Sequence, residues 1–192
     1  NGGADDVDRL GMSLRGLSVS LERRWRELAQ LDAISRKVNA GVLLDDVLDE
    51  LYREGRDIFP YDRIGVSLLE DGGTLVRARW ARSGLGPMRL GKGYAAPLSG
   101  SSLEAVLRTG EPRILNDLVA YLREKPASDS TRLVVEEGVK SSLTCPLVAN
   151  GVPVGFIFFS SATPGVYTAR HAETFQRLAG QLSVVVEKAR LV

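Results

Sequence analysis

The segment that decides the fold is residues 141–160, which read SSLTCPLVANGVPVGFIFFS. Two largely apolar runs, 141–148 and 152–160, flank the pair Asn150-Gly151. An Asn-Gly pair between such runs is the strongest short-range signal for a two-residue β-hairpin. The segment is therefore predicted to be two antiparallel strands joined by a tight turn.

A second hairpin is predicted upstream of this one. Strands over 64–69 and 75–81 flank the turn-forming sequence Glu70-Asp71-Gly72-Gly73. Shorter strands are predicted near 94–98 and over 112–115, on either side of a helical segment. Because hairpins pair neighbouring strands antiparallel, the whole sheet is predicted to be antiparallel.

Helices are predicted around and between these strands. Residues 43–58 have the spacing of an amphipathic helix. A helix over 101–110 is predicted to begin with a capping box, in which Ser101 is the N-cap and Glu104 reaches back to it. The polar segment 116–138 is expected to hold one or two short helices. An antiparallel sheet with flanking helices predicts an α+β fold.

A seven-residue apolar repeat marks both ends of the chain. From 7 to 38 the repeat positions alternate at steps of three and four residues, and only Arg24 and Ser35 are not apolar. The segment 171–192 continues the same spacing, and sustained heptads are typical of coiled coils. We expect a homodimer, whose predicted seam is Leu10, Leu14, Leu17, Leu21, Leu28, Leu31, Leu178, Leu182 and Val185.

These patterns predict three regions. Residues 1–6 are expected to be a disordered start or a tag remnant. Residues 7–38 are expected to form a long signalling helix of the coiled-coil type. Residues 39–192 are expected to form a single α+β domain, whose last helix has no stop signal and is expected to continue into an output domain.

Composition excludes several classes of function. The 192 residues carry 25 basic and 24 acidic side chains, a net charge of +1, so bulk charge predicts no nucleic-acid partner. One cysteine and one histidine exclude Cys-rich or His-rich metal sites, and no metal site is predicted. No apolar run is long enough to span a bilayer, so we expect no membrane insertion and a cytoplasmic location.

The chain resembles the GAF domain family of small-molecule sensors over roughly residues 31–191. The resemblance rests on the strand from Ser142 to Leu147, the Asn150-Gly151 turn, and the closing helix through Leu178. It also rests on the segment from Gly110 to Asp117, which is similar to the family's middle strand and its polar exit. The pattern is dispersed and includes no single diagnostic motif.

The resemblance implies a central antiparallel sheet with the terminal helices on one face. On the other face, strand–loop–helix segments are expected to close over a ligand pocket. Known ligands of the family include cyclic nucleotides, linear tetrapyrroles, haem and small organic or inorganic anions, while many members bind nothing identified and serve in dimerisation. The cyclic-nucleotide signature of the family is not found at matching positions, so the resemblance leaves the ligand and any cofactor unidentified.

Eight side chains are candidates for contacting a small-molecule ligand. Two arginines alternate along the second strand, where they would bind an anion or form a solvated strand face. Aromatic residues would wall a pocket or belong to an ordinary core. An Asn-Asp pair would bind a ligand edge or cap the next helix. The candidates are Arg77, Arg79, Trp80, Tyr94, Asn116, Asp117, Tyr121 and Phe156.

No catalytic residue set is recognisable in the sequence. Cys145 lies between Leu143 and Leu147 on one strand face, which is typical of a small core residue. A methionine-sulfoxide-reductase activity, found in one branch of the family, needs several cysteines and is excluded by a single one. His171 is interpreted as an exposed residue in the first turn of the closing helix.

Two functions are compatible with these observations. The first is a sensory domain that binds a small molecule and transmits the change through dimeric terminal helices to a histidine kinase, a diguanylate cyclase or a similar output domain. The second is a ligand-free dimerisation scaffold of such a protein. An enzyme is the least favoured class, and no catalytic activity is predicted for this segment.

Overall fold

The computed structural model describes the backbone of residues 15–24 and 33–190, and the side chains of 15–24 and 41–190. The described residues form two compact units. A helical unit contains the chain up to Ile58 and the end of the last helix from Val184. A sheet unit contains Phe59–Ser183.

The helical unit begins with helix α1, residues 15–24, followed by α2, Ala33–Glu54. The sheet unit is built from strands and short helices, and the last helix starts in it. Its strands are β1 Arg63–Glu70, β2 Leu75–Ser83, β3 Ala95–Pro97, β4 Arg113–Leu115, β5 Ser141–Ala149 and β6 Val152–Ser161. Its helices are α3 Leu103–Thr109, α4 Leu118–Glu124, α5 Asp129–Glu136 and α6 Ala169–Arg190, the last of which ends in the helical unit.

All six strands form one antiparallel sheet in the order β3-β2-β1-β6-β5-β4. The predicted α+β class, both hairpins and the antiparallel sheet are confirmed. Asn150 and Gly151, at the turn between β5 and β6, have φ angles of 51° and 77°. Two positive φ values are what a type I′ hairpin turn requires, which explains the Asn-Gly pair.

Close strand approach explains one glycine in the middle of the sheet. Gly155 on β6 pairs with Leu68 of β1 and Leu147 of β5. A Cβ atom at Gly155 would overlap the carbonyl oxygen of Ser67. Both neighbouring strands are irregular nearby, with register shifts at Val66/Ser67 and at Leu147/Val148. The sheet therefore depends on a residue without a side chain at this position.

The two faces of the sheet have separate apolar clusters. On one face the ring of Phe159 stacks on Phe175 of α6, with 3.6 Å between centroids, and Phe59 lies 3.9 Å from Phe175. A second cluster holds the buried side chains of Leu69, Val76, Val106 and Phe156, with Leu98, Leu103, Leu107 and Phe158 packed against it. The second cluster fastens α3 to the sheet.

The predicted long N-terminal helix is not confirmed by the residues that the structure describes. Arg24 Nη2 of α1 lies 3.4 Å from Glu50 Oε2 of α2. Residues 26 positions apart on one straight helix are separated by about 39 Å. Helices α1 and α2 therefore lie side by side, and α2 crosses the boundary predicted at residue 38.

Several residues of the predicted dimer seam are buried within the single chain. Leu21 is buried, as are Leu178, Leu182 and Val185, and Leu17 is half-buried. Leu10 and Leu14 lie outside the described residues, and nothing is described of the side chains of Leu28 and Leu31. Among the side chains of the helical unit that the structure describes, the large apolar ones that are exposed are instead Val19, Val42 and Val184.

The predicted helix ends and caps are confirmed only in part. Helix α2 ends at Glu54, earlier than predicted, and a 3₁₀ turn over Gly55–Asp57 follows it. The capping box at α3 is wrong: the Ser101 hydroxyl donates to the Leu98 carbonyl at 2.6 Å, while Glu104 accepts from the Gly100 amide at 3.3 Å. Two helices do interrupt the polar segment, as predicted. Among the described helices none is long and apolar enough to cross a membrane.

Candidate functional site

The sheet unit encloses a cavity of about 740 Å³. Residues of all six strands line it, together with the start of α3 and the α4–α5 region. This volume lies within the range of small-molecule sites, which are commonly 300–1,000 Å³. The cavity is therefore large enough to take an organic molecule.

Strand register determines which side chains of β4, β5 and β6 reach the cavity. Thr144 pairs with Arg113 on β4 and with Phe158 on β6, and all three line the cavity. Ser142, two residues earlier on β5, lines it as well. Side chains two residues apart share a sheet face. Cys145 and Leu143 alternate with these residues and are fully buried.

Arg113 is a charged residue of this cavity with buried donor atoms that have no partner in the described part of the chain. Its Nε and Nη1 atoms are buried and have no hydrogen-bond partner among the described residues. Burial lowers the pKa of its guanidinium, and the nearby Tyr121 acts in the opposite direction. Arginine keeps its charge in proteins even so. The cavity therefore contains a cation whose Nε and Nη1 donors are unused by the described residues.

A second arginine of the cavity, Arg63, is paired within the fold. Arg63 Nε donates to Glu137 Oε1 at 3.0 Å, and Arg63 Nη2 donates to the carbonyl oxygen of Leu90 at 2.5 Å. The other carboxylate oxygen of Glu137 accepts from the Leu90 amide at 3.0 Å. The ion pair thus holds both polar backbone groups of Leu90. Leu90 is a cavity residue in the loop 84–94 between β2 and β3, which contains four glycines and is called the glycine-rich loop below.

Exposed charges also line the cavity near helix α5. Asp129 pairs with Arg132, with 2.9 Å between Oδ1 and Nη1. Burial raises the pKa of Tyr94, Asp129 raises it further, and Arg132 lowers it. Glu124 and Lys125, a carboxylate and an ammonium next to each other, are exposed at the end of α4. These charges pair or offset one another locally, unlike that of Arg113.

Three of the eight predicted ligand contacts line the cavity. They are Trp80, Tyr94 and Tyr121, from β2, the loop before β3 and α4. The structure thus brings together residues that are up to 41 positions apart in the chain. Their role as ligand contacts stays a prediction.

The other five predicted contacts do not line the cavity. Arg77 pairs with Glu70 at 2.9 Å and donates to the Gly93 carbonyl, and Arg79 is on the same strand. Phe156 is fully buried in the cluster beneath α3. These arginines alternate with Val76 and Ala78, which do line the cavity, so the strand presents the apolar residues to it.

Asn116 and Asp117 have structural partners. The Asn116 side chain donates to the Tyr167 carbonyl at 2.9 Å and accepts from the Tyr167 amide at 3.1 Å. Asp117 caps α4, since its Oδ1 accepts from the Ala120 amide at 2.9 Å. The capping alternative considered for the pair therefore describes Asp117, while Asn116 fastens β4 to the segment before α6.

Sequence reasoning missed Arg113, Ser142, Thr144 and the Arg63–Glu137 pair. A usable signal existed in β4, where Arg113 precedes Ile114 and Leu115 in a short apolar strand. Arg113 and Leu115 are two residues apart on β4, so their side chains lie on the same face of the sheet. The Arg63–Glu137 pair had no such signal, because 74 positions separate the two residues.

Cys145 and His171 have the environments predicted for them only in part. Cys145 is fully buried, and burial raises the pKa of its thiol to about 12, so it is the core residue that was predicted. His171 is half-buried, and its Nδ1 accepts from the Thr168 amide at 3.1 Å. The described residues contain no group of three or more side chains suited to holding a metal ion.

Comparison with solved structures supports this fold. The structure is similar to the GAF domain of a two-component sensor histidine kinase from Bacillus halodurans, with a TM-score of 0.62 and 18% identity over 77% of this chain and 96% of that one. It is similar to the phycocyanobilin-bound GAF domain of a cyanobacterial phytochrome, with a TM-score of 0.64 and 14% identity over 92% and 95% of the two chains.

A third similar structure is an enzyme. The type II free methionine-R-sulfoxide reductase of Thermoplasma acidophilum has a TM-score of 0.58 and 14% identity, over 79% of this chain and 94% of that one. No curated protein matches the sequence. A sequence profile described as the GAF domain matches residues 42–187, which is most of the chain. The chain therefore belongs to the GAF domain family.

Proposed function

We propose that this GAF domain is a sensory module that binds a small molecule in the 740 Å³ cavity of its sheet unit. The observation that carries the proposal is the cavity itself, which lies among strands and short helices and is lined by both apolar and polar side chains. Similar folds occur in a sensor histidine kinase and in a phytochrome with a bound bilin.

A ligand-free scaffold is the second candidate function. A scaffold of that kind is expected to fill its pocket with its own side chains, because empty apolar space costs dispersion contacts. The open cavity and the unpartnered Arg113 donors favour a ligand instead.

The signal is proposed to reach an output domain, such as a histidine kinase or a diguanylate cyclase, through the helical unit. Helix α6 starts in the sheet unit and ends in the helical unit, so it is a covalent route between the two. A ligand that binds one conformation of the sheet unit more tightly shifts the population of conformations.

A homodimer is proposed to form through the helical units. Support comes from the heptad pattern and from exposed Val19 on α1, Val42 on α2 and Val184 on α6. Because α1 lies beside α2, the proposed contact is a bundle of helices from two copies and not a pair of single rods.

We propose no catalytic activity for this domain, despite its similarity to a sulfoxide reductase. A thiolate is the reactive form of cysteine, and burial disfavours it at Cys145, the only cysteine of the chain. Reductase chemistry of that family branch also needs further cysteines to form a disulfide.

Thermal unfolding in the presence of candidate ligands tests the sensory function. The probes are cyclic AMP, cyclic GMP, biliverdin, haemin, phenylacetate and phenyl phosphate. A true ligand at 100 times its dissociation constant stabilises the fold by about 2.7 kcal/mol. Ser142→Phe places an aromatic ring in the cavity, and Val148→Phe places the same ring at an exposed site of the same strand. Stabilisation that is lost in Ser142→Phe but kept in Val148→Phe supports the proposal, and the absence of any stabilisation favours the scaffold.

A further inference from the structure

We propose that the ligand of this cavity is an organic anion, whose carboxylate or phosphate group pairs with Arg113. The inference rests on the proposed sensory function and adds the chemical class of the ligand and the residue that selects it. It is carried by the contrast between two arginines that line the same cavity.

The two arginines differ in how their donors are used. Arg63 is paired with buried Glu137 and also donates to a backbone carbonyl. Arg113 has neither, because its buried Nε and Nη1 lack any hydrogen-bond partner among the described residues. A buried charge is normally retained only when it is paired, since desolvation is costly. The missing partner of Arg113 is therefore expected to arrive with the ligand.

The surroundings of Arg113 favour an anion over a neutral acceptor. Thr144 pairs with Arg113 across the strands and Ser142 lies on the same face, so two hydroxyl donors line the cavity beside the guanidinium. Burial strengthens the interaction of the guanidinium with an anion, and its planar donor geometry matches carboxylate and phosphate oxygens.

Acidic groups of the cavity do not supply this partner. Asp129 is paired with Arg132 at 2.9 Å. Glu124 is exposed and stands next to Lys125. Glu137 is buried, but both its oxygens accept hydrogen bonds from Arg63 and Leu90. No carboxylate among the described residues lies within ion-pair distance of Arg113, although an anion entering the cavity also meets the Glu124 and Asp129 charges.

The rest of the cavity indicates the body of the ligand. Tyr94, Tyr121, Phe158 and Leu90 supply aromatic and aliphatic lining. Such walls hold a planar or apolar group. The expected ligand is thus a compact aryl or alkyl acid or phosphate ester, whose charged end reaches Arg113.

Matched probes test this proposal. Phenylacetate and phenyl phosphate carry an anion on an aromatic body, while phenylacetamide has the body of phenylacetate without the charge. Binding is measured by titration calorimetry and thermal unfolding on wild type, Arg113→Met and the control Arg108→Met. Arg108 is exposed on α3 and does not line the cavity. We expect at least one anionic probe to bind wild type and Arg108→Met, at least tenfold weaker binding to Arg113→Met, and at least tenfold weaker binding of the amide.

The outcomes separate this inference from the sensory function. If phenylacetamide binds as tightly as the anions, and Arg113→Met binds all probes like wild type, the cavity is a ligand site but the inference is overturned. If the anions bind equally well to Ser142→Phe and to Arg113→Met, the cavity is not their site and both fail. If neither anionic probe binds wild type, the inference is overturned, whereas binding of the uncharged phenylacetamide alone keeps the function.

A measurement without ligand gives a second, independent readout. Because Arg113 has no partner, Arg113→Met is expected to unfold at the same or a higher temperature than wild type, by up to several degrees. A clear decrease in the unfolding temperature, absent in Arg108→Met, would show that Arg113 is satisfied within the fold and would overturn the inference.

Discussion

Arg63 and Glu137 form a buried ion pair that encloses the backbone of a third residue, Leu90. The side chains of Arg63 and Glu137 are 4% and 1% exposed, and Nε lies 3.0 Å from Oε1. Arg63 also holds the Leu90 carbonyl, and Glu137 holds the Leu90 amide. One pair therefore joins β1, the residue after α5 and the glycine-rich loop at the cavity.

Removing one member of this pair is predicted to cost more than removing both. Glu137→Leu leaves a buried guanidinium without its carboxylate, and such losses cost about 3–5 kcal/mol. The double variant Arg63→Met/Glu137→Leu removes both charges and is expected to be less unstable than the sum of the single variants. Urea unfolding of wild type, both single variants and the double variant gives the coupling energy. Additive losses would contradict the prediction.

The same pair is predicted to keep the loop closed on the cavity side. Glu137→Gln keeps an acceptor but removes the charge, so the Leu90 amide is expected to exchange its hydrogen faster than in wild type. Hydrogen exchange followed by NMR measures this directly. Exchange at Ala120, whose amide bonds to Asp117, serves as an internal reference and is expected not to change. Unchanged protection at Leu90 would mean that the loop is held by other contacts.

Gly155 is predicted to tolerate no side chain. In Gly155→Ala the new methyl group collides with the Ser67 carbonyl, and relief requires β1 and β6 to separate. Overpacking of this kind costs about 1–3 kcal/mol. Gly180→Ala is the control, because this exposed position of α6 has free space and alanine stabilises helices by about 1 kcal/mol relative to glycine. Chemical unfolding should therefore move in opposite directions for the two variants. Equal effects would contradict the close approach.

The sequence predicted elements with local signals and missed relationships that depend on distant residues. The Asn150-Gly151 pair predicted a hairpin because turn geometry is a local property. The long N-terminal helix is not confirmed, because α1 and α2 each follow the same apolar period, and periodicity does not show which helices pack against each other. The Arg63–Glu137 pair joins residues 74 positions apart, and no local pattern in the chain records it.

The candidate site was predictable in its aromatic lining and not in its charge. Trp80, Tyr94 and Tyr121 were predicted as ligand contacts because they are aromatic, and all three line the cavity. The predicted arginines of β2, Arg77 and Arg79, do not line the cavity. Side chains alternate along that strand, and Val76 and Ala78 are the ones that line it. Only the strand alternation that Arg113 shares with Leu115 marked it, and no turn or repeat did. Its significance comes from the absence of a partner, which only the three-dimensional arrangement shows.

His171 is predicted to contribute to the loss of stability in mild acid. Burial lowers the pKa of His171 below 6.5, and the charge of Arg170 lowers it further. The folded state therefore binds this proton less readily than the unfolded chain. The contribution of neutral His171 to the free energy of unfolding is complete above about pH 6.5. It is lost as the pH falls through the folded-state pKa of His171. Protonation also removes the Nδ1 acceptor that the Thr168 amide uses.

The measurement is the pH dependence of unfolding for wild type and His171→Gln between pH 8 and 5. The difference between the two proteins isolates this residue from the many carboxylates that titrate lower. We expect wild type to lose stability more steeply than His171→Gln as the pH falls below about 6.5. Parallel curves over the whole range would show that His171 titrates alike in the folded and unfolded chain.

The proposed dimer is predicted to depend on exposed valines of the helical unit. Val19 and Val184 are 63% and 46% exposed, whereas Leu21 is already buried, so a charge at either valine leaves the folded chain intact. The double variant Val19→Glu/Val184→Glu is expected to sediment as a monomer under conditions where wild type is a dimer, because the contact would bury carboxylates. Val148→Glu/Val152→Glu is the matched control, with two exposed valines of the β5–β6 hairpin, and it is expected to remain dimeric. A wild-type protein that sediments as a monomer at 100 µM, or a dimer that survives in both variants, would remove the helical unit as the interface and leave the signal only the covalent path along α6.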